Sequence, residues 1–250
     1  MTRPLIRSGS AVIVFLKAPV PGTVKTRLMP RFSADEAADL YRAMVEDLLA
    51  RLDRFEGVAV RVCFAPPRAG RSIRAWLGRH VGLEPQRGGD LGARMSAAFK
   101  SAFRAGFDRV VLVGSDVPGL TPRVLSKALA ALHDNDVVLG PSPDGGYYLI
   151  GMTEARIRLF SEMPWSTRRV LRETLRRAST LGVSVEVLAP LEDIDTAADA
   201  RRLWRDMQSG RVRSSSAPRV ANVLRKILGA RLPRAGAASG DSPRRRRPRT

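Results

Sequence analysis

Short apolar runs rich in β-branched residues alternate along this chain with longer stretches of helical periodicity, and that alternation leaves few architectures open. Ala11–Lys17, Val58–Phe64, Val110–Gly114, Val137–Gly140, Tyr147–Gly151 and Val183–Leu188 read as strands. Helices are expected between them. Ser33 with Glu36 three residues on forms a capping box. It opens a helix in which Leu40, Tyr41, Met44, Val45, Leu48, Leu49 and Leu52 recur at helical spacing. Arg71–Gly78, Gly92–Gly106, a segment opened by Thr121 and Pro122, Thr167–Leu181 and a last segment from Thr196 follow. The expected class is α/β, with helices on both faces of a sheet. Tyr147–Gly151 comes too soon after Val137–Gly140 for a parallel crossover, which takes about a dozen residues. One antiparallel strand in a mainly parallel sheet is therefore expected.

A chain of 250 residues with 44% hydrophobic content can bury a sizeable core, which excludes global disorder. No apolar run approaches the roughly 18–20 residues of a membrane span. The stretch before Lys17 is too short for a secretory signal. Cys63 stands alone, so no internal disulfide forms, and a cytoplasmic location is expected. The net charge of +19 would suggest a nucleic-acid binder. However, twelve of the 43 Lys and Arg residues fall in residues 211–250, against Asp241 alone. We therefore expect a body over 1–210 and a basic tail over 211–250. Residues 219–232 carry Val220, Val223, Leu224, Ile227 and Leu228 on one helical stripe. Such a stripe either packs on the body or a second subunit, or lies weakly on an anionic surface. The Arg244–Arg247 run is expected to be disordered and to bind polyanions without specificity.

Open α/β sheets bind ligands beyond the carboxyl ends of their strands, so the residues at those ends carry the functional signal. After the first strand, Lys17, Lys25 and Arg27 bring three cations to one loop, and Gly22 permits close backbone approach. That combination suits polyphosphate. It is not a Walker A loop, because Val24 and Pro19 stand at the glycine positions. After the third strand, Asp116 is placed either to bind a hard cation or to cap a turn. Asp144, Gly145 and Gly146 read first as a turn, and second as a substrate-side loop. Glu192, Asp193 and Asp195 put three carboxylates within four residues, which repel one another unless a cation is near. Two histidines and one cysteine cannot make a structural zinc site, and Cys63 reads as core.

Six motifs in order carry a resemblance across roughly residues 10–205. They are Lys17-Ala-Pro-x-Pro-Gly-x-Val-Lys-Thr-Arg-Leu28, Gly89-Asp-Leu-Gly-x-Arg-Met95, Gly114-Ser-Asp-x-Pro-Gly-Leu-Thr121, Asp144-Gly-Gly-Tyr-Tyr-Leu-Ile-Gly151, Pro164-Trp-Ser-Thr167 and Asp193-Ile-Asp-Thr196. The chain resembles a bacterial family usually labelled glycosyltransferases, within the nucleotide-diphospho-sugar transferase superfamily. Molybdenum-cofactor nucleotidyltransferases and 2-phospho-L-lactate guanylyltransferase are relatives. The resemblance implies the GT-A fold, a three-layer αβα sandwich, over residues 1–210. It implies that Lys17, Gly22, Lys25 and Arg27 hold nucleotide phosphates, and that Gln86, Gly89 and Asp90 sit where the base is read. It implies that Asp116 and Asp195 hold Mg²⁺, or Mn²⁺ in its place, and that Asp144, Gly145 and Gly146 line the acceptor side. Lys25, Arg27 and Asp116 then form the catalytic set. The expected partners are a nucleotide or nucleotide-sugar donor and a small-molecule acceptor. The alternative is a non-catalytic protein that binds nucleic acid or anionic membrane through its basic tail.

Overall fold

A computed structural model of the chain describes residues 9–78 and 81–229. Seven strands form one sheet: β1 (Ser10–Lys17), β2 (Val58–Ala65), β3 (Gly82–Pro85), β4 (Arg109–Gly114), β5 (Val137–Pro141), β6 (Tyr147–Met152) and β7 (Val185–Val187). The helices are α1 (Ala34–Leu52), α2 (Gly70–Leu77), α3 (Leu91–Arg104), α4 (Pro122–Ala131), α5 (Val170–Thr180), α6 (Ala197–Gln208) and α7 (Pro218–Gly229). The sheet order is β3-β2-β1-β4-β6-β5-β7. All neighbours are parallel except β6, which runs antiparallel to both β4 and β5. The short β5–β6 connection permits nothing else.

Side chains alternate along each strand, and both faces are covered. On β1, Val12, Val14 and Leu16 join a core built with α1, α2, α4, α6 and α7. Ile13 joins a second core with α3 and α5 on the opposite face. This is the expected three-layer αβα sandwich. Cys63 is 3% exposed in the second core. Burial, reinforced by the charge of Glu84, pushes its thiol up to about 12, in keeping with a core role.

The structure differs from the expectation in local detail. Strand β3 has four residues bounded by Gly82 and Pro85, too short to show any alternation. Helix α5 starts at Val170 rather than Thr167, and residues 165–169 form turns in which Ser166 is left-handed at φ 62°. The expected 219–232 helix is present as α7, and its remainder lies outside the described residues. Its stripe of Val220, Leu224, Ile227 and Leu228 is buried in the core that includes α1. Buried Asp47 of α1 accepts the N–H groups of Arg219 and Val220, at 3.0 Å each, and so caps the start of α7. The change in composition near residue 210 is therefore not a change in packing, which continues to residue 229. The apolar stripe is spent on α1 and offers no free face to a membrane surface. The Arg244–Arg247 run lies outside the described residues.

Candidate active site

The chain leaves β1 for β2 on one side of the sheet and places β4 on the other side of β1. That reversal opens a crevice at the carboxyl ends of β1 and β4. A cleft of about 370 Å³ lies there, and Lys17, Lys25, Arg27, Gln86, Asp116 and Asp195 all line it. Sequence positions 17 to 195 thus meet at one strand edge.

The loop after β1 is shaped by its apolar residues. Val24 and Leu28 are buried and pin it to the core. Between them Lys25 adopts a left-handed backbone at φ 51°, an uncommon conformation for a residue with a Cβ. This turns its side chain inward, where it is 3% exposed. Its ammonium donates to Asp116 Oδ2 at 2.8 Å and to Asp195 Oδ1 at 2.7 Å. Burial alone would lower the Lys25 pKa, but the two carboxylates outweigh it and leave it raised. Arg27, by contrast, is 76% exposed and stands 3.6 Å from Asp195 Oδ2. Lys17 is exposed at the strand end. Gly22 is exposed at φ 79° with nothing within 4 Å of a built Cβ. It makes the turn of the loop but does not itself line the cleft.

The carboxylates come from two distant segments. Asp116 follows β4. Asp195 arrives because Ile194 buries its side chain and donates its N–H to the Asp116 carbonyl at 3.0 Å. Ser115 donates to Asp116 Oδ1 at 3.0 Å. The Tyr41 hydroxyl lies 3.1 Å from Ser115 Oγ, and with the Ser115 proton committed to Asp116, Tyr41 is the donor there. The same hydroxyl accepts the Lys17 backbone N–H at 2.8 Å. Burial and the Asp116 charge hold the Tyr41 phenol well above its usual range. Each carboxylate remains 36% exposed toward the cleft. Asp193 sits beside them. Burial, then the charges of Asp195 and Asp144, raise its pKa.

The remaining predicted residues are placed as follows. The Gln86 side-chain amide donates to the Leu16 and Cys63 carbonyls at 3.2 and 2.9 Å. It ties β1 to β2 and leaves only its oxygen for a ligand. Gly89 and Asp90 lie beside the cleft rather than in its lining. The Asp90 carboxylate caps α3 by accepting the Ala93 N–H at 2.7 Å. Asp144, Gly145 and Gly146 form the β5–β6 turn, outside the lining of this cleft, with Asp144 accepting the Gly146 N–H at 2.9 Å. Gly145, at φ 88°, is a steric requirement, since a Cβ would lie 2.3 Å from the Arg168 carbonyl oxygen. Three contributors to the site were absent from the predicted set: Tyr41, Ser115 and Arg94, the last of which lines the cleft from α3. Tyr41 reads as core in the α1 stripe, and only its hydroxyl hints at a polar partner.

This fold is that of the nucleotide-diphospho-sugar transferases. A crystal structure of a Desulfovibrio desulfuricans G20 protein, provisionally called a nucleotide-diphospho-sugar transferase, matches with a TM-score of 0.80 and 36% identity. The match covers 88% of this chain and 98% of that one. The chain belongs to the same family, and residues 48–167 match the model of the family described as "Uncharacterized protein conserved in bacteria (DUF2064)". That segment includes Asp116 but neither Lys25 nor Asp195. A nucleotidyl transferase from Methanothermobacter thermautotrophicus shares the fold, with a TM-score of 0.55 and 15% identity over 81% of this chain and 99% of that one. So does 4-diphosphocytidyl-2C-methyl-D-erythritol synthase from Anaerococcus prevotii DSM 20548, with a TM-score of 0.54 and 12% identity over 80% and 96%. No curated protein matches the chain. Among the described residues, no helix is long and apolar enough to cross a membrane.

Proposed function

We propose that this protein is a divalent-metal-dependent transferase that moves a group from an activated nucleotide to a small-molecule acceptor. The observation that carries this reading is the convergence of Asp116 and Asp195 on one lysine, beside exposed cations, in the crevice between β1 and β4. Four cations line that cleft, Lys17, Lys25, Arg27 and Arg94, against two carboxylates. The cleft therefore attracts an anionic ligand while keeping a negative focus at its base.

The donor set fits a hard cation such as Mg²⁺, or Mn²⁺ in its place. Both donors are carboxylates with an open edge. Among the described residues no group of three His, Cys, Asp or Glu side chains could cage a metal. Ions of this kind are commonly held by one or two carboxylates, with phosphates and water completing the shell. Asp116 and Asp195 would hold the ion, which would withdraw charge from the phosphate oxygens. The chain's own residues supply the rest. Ser115 and Tyr41 fix the Asp116 carboxylate through two hydrogen bonds. Lys25 neutralises the carboxylate pair in the ion-free site, while Arg27 and Lys17 face the cleft as counter-charges for phosphate. Catalysis of this type is mainly positioning and electrostatic stabilisation.

Two transfers fit the site. In nucleotidyl transfer an acceptor oxygen attacks the α-phosphorus of an NTP and pyrophosphate leaves. In glycosyl transfer the acceptor attacks the sugar carbon and a nucleoside diphosphate leaves. The excess of cations favours nucleotidyl transfer, since a triphosphate needs more counter-charge. Product analysis separates the two, with single NTPs or nucleotide-sugars, Mg²⁺ and candidate acceptors. We expect Asp116→Ala to lower turnover by about 10²–10³. Metal-dependent turnover at the wild-type rate in that variant would remove Asp116 from the mechanism.

A further inference from the structure

A second concavity lies next to the cleft, between edge strand β3 and helix α3. Its volume is about 400 Å³, within the usual size of small-molecule sites. Arg87 lines it at the strand end, and Arg94, Lys100 and Arg104 line it along α3. The floor is made of small or apolar residues, among them Cys63, Pro85 and Ala98. Among the described residues, the only carboxylate in the lining is that of Glu84, and it is already neutralised. Arg61 pairs with it, and Ser101 donates to its second oxygen at 3.1 Å. Arg94 donates to the carbonyls of Gly88 and Gly89, which carry no charge. Four cations therefore line one concavity from two walls with no unpaired carboxylate among its described lining residues. Arg94 and Gln86 line both this groove and the proposed nucleotide cleft.

We propose that the α3–β3 groove is a second anion site, which binds a small phosphate-bearing molecule beside the nucleotide cleft. Several cations around a concave, partly apolar floor suit one phosphorylated small molecule. A nucleic-acid backbone would instead require a long basic track. The proposal does not depend on the transferase reading, because it concerns anion binding at residues outside the Asp116–Asp195 pair.

Site-resolved NMR tests it. The full-length ¹⁵N-labelled protein is titrated with inorganic pyrophosphate at low ionic strength, without metal. We expect saturable amide shifts in the 97–104 segment, which lines the groove and not the cleft, separate from any in the Thr23–Arg27 loop. In K100E/R104E the 97–104 shifts should weaken by about tenfold or more in apparent affinity, while those at Thr23–Arg27 persist. Should that variant not fold, K100Q/R104Q carries the same test with a smaller loss in the same direction. Saturating groove shifts that are unchanged in the folded variant would overturn the proposal, as would shifts confined to Thr23–Arg27. A DNA duplex or phosphatidylglycerol vesicles that saturate the groove at lower phosphate concentration than pyrophosphate would also overturn it, in favour of a polymer or a membrane.

Discussion

Lys25 illustrates how one residue can be legible in type and hidden in role. Its charge and its place after a strand pointed to phosphate. In the structure the ammonium is almost fully covered and engages two carboxylates instead. The left-handed backbone at Lys25 causes the difference, and nothing in the residue order Val-Lys-Thr announces it. On the proposed reading, the exposed Arg27 and Lys17 are the cations left to face phosphate. This arrangement makes Lys25 a competitor for the position between Asp116 and Asp195. Removing it in Lys25→Met leaves two nearby carboxylates uncompensated, which strengthens their attraction for a divalent ion. We expect Mn²⁺ to bind the nucleotide-free variant about tenfold or more tightly than the wild type, read by calorimetry. Weaker or unchanged Mn²⁺ binding in a folded variant would mean that Lys25 organises the pair rather than competing for it. Tyr41 was hidden for another reason. Tyr41 reaches the site through a contact 74 residues distant in sequence, which spacing within a helix does not encode, whereas Ser115 bonds its own neighbour Asp116 and its motif position held that clue.

At the scale of elements, the amphipathic helices and most strands could be read from periodicity, because each must bury one face. Strand β3 could not, since four residues at a sheet edge carry no period. The stripe of α7 was readable, but its partner was not, although Asp47 within the apolar face of α1 was a clue. A carboxylate among Val45, Leu48 and Leu52 needs a buried donor, and the start of α7 provides it. We expect Asp47→Ala to cost about 1–3 kcal/mol by orphaning those N–H groups. Leu224→Ala should cost about 2–5 kcal/mol by opening a cavity between α7 and α1. Both are read from denaturant unfolding. Losses below about 0.5 kcal/mol would show that α7 is not docked in solution.

The far edge of the sheet has its own electrostatic tie. Asp136, just before β5, accepts from the Ser184 N–H at 2.9 Å and the Ser184 hydroxyl at 2.8 Å, and it pairs with Arg156. The Ser184 hydrogen bonds hold its carboxyl below the usual carboxylate range. A depressed folded-state pKa means that the stability contribution is present above the unfolded value, near 3.8. It is lost as pH falls through the lower folded value. The stability gap between wild type and Asp136→Asn should therefore be full near neutral pH and close at pH values below about 4. A gap that stays constant down to acid pH would assign the effect to packing rather than to charge.

For the molecule as a whole, the three-layer architecture followed from the strand–helix alternation, and the antiparallel β6 from one short connection. The sequence placed ligand chemistry at the carboxyl ends of strands, but the reversal between β1 and β4 that opens the cleft is visible only in the sheet order. The net charge of +19 was the least informative whole-chain property. Much of it lies in residues 211–250, and what bears on chemistry is a handful of cations at one strand edge. The central claim is that this edge binds an activated nucleotide together with a divalent ion. A thermal-shift screen of NTPs and nucleotide-sugars with Mg²⁺, run on the wild type and Asp116→Ala side by side, tests it most directly. At least one nucleotide should raise the wild-type Tm in a saturable, Mg²⁺-dependent way, equivalent to about 2.7 kcal/mol at a hundredfold excess over Kd. This shift should be lost in an Asp116→Ala protein whose ligand-free Tm is preserved. A wild-type Tm unmoved by every nucleotide, or an equal Mg²⁺-dependent shift in both proteins, would contradict the claim.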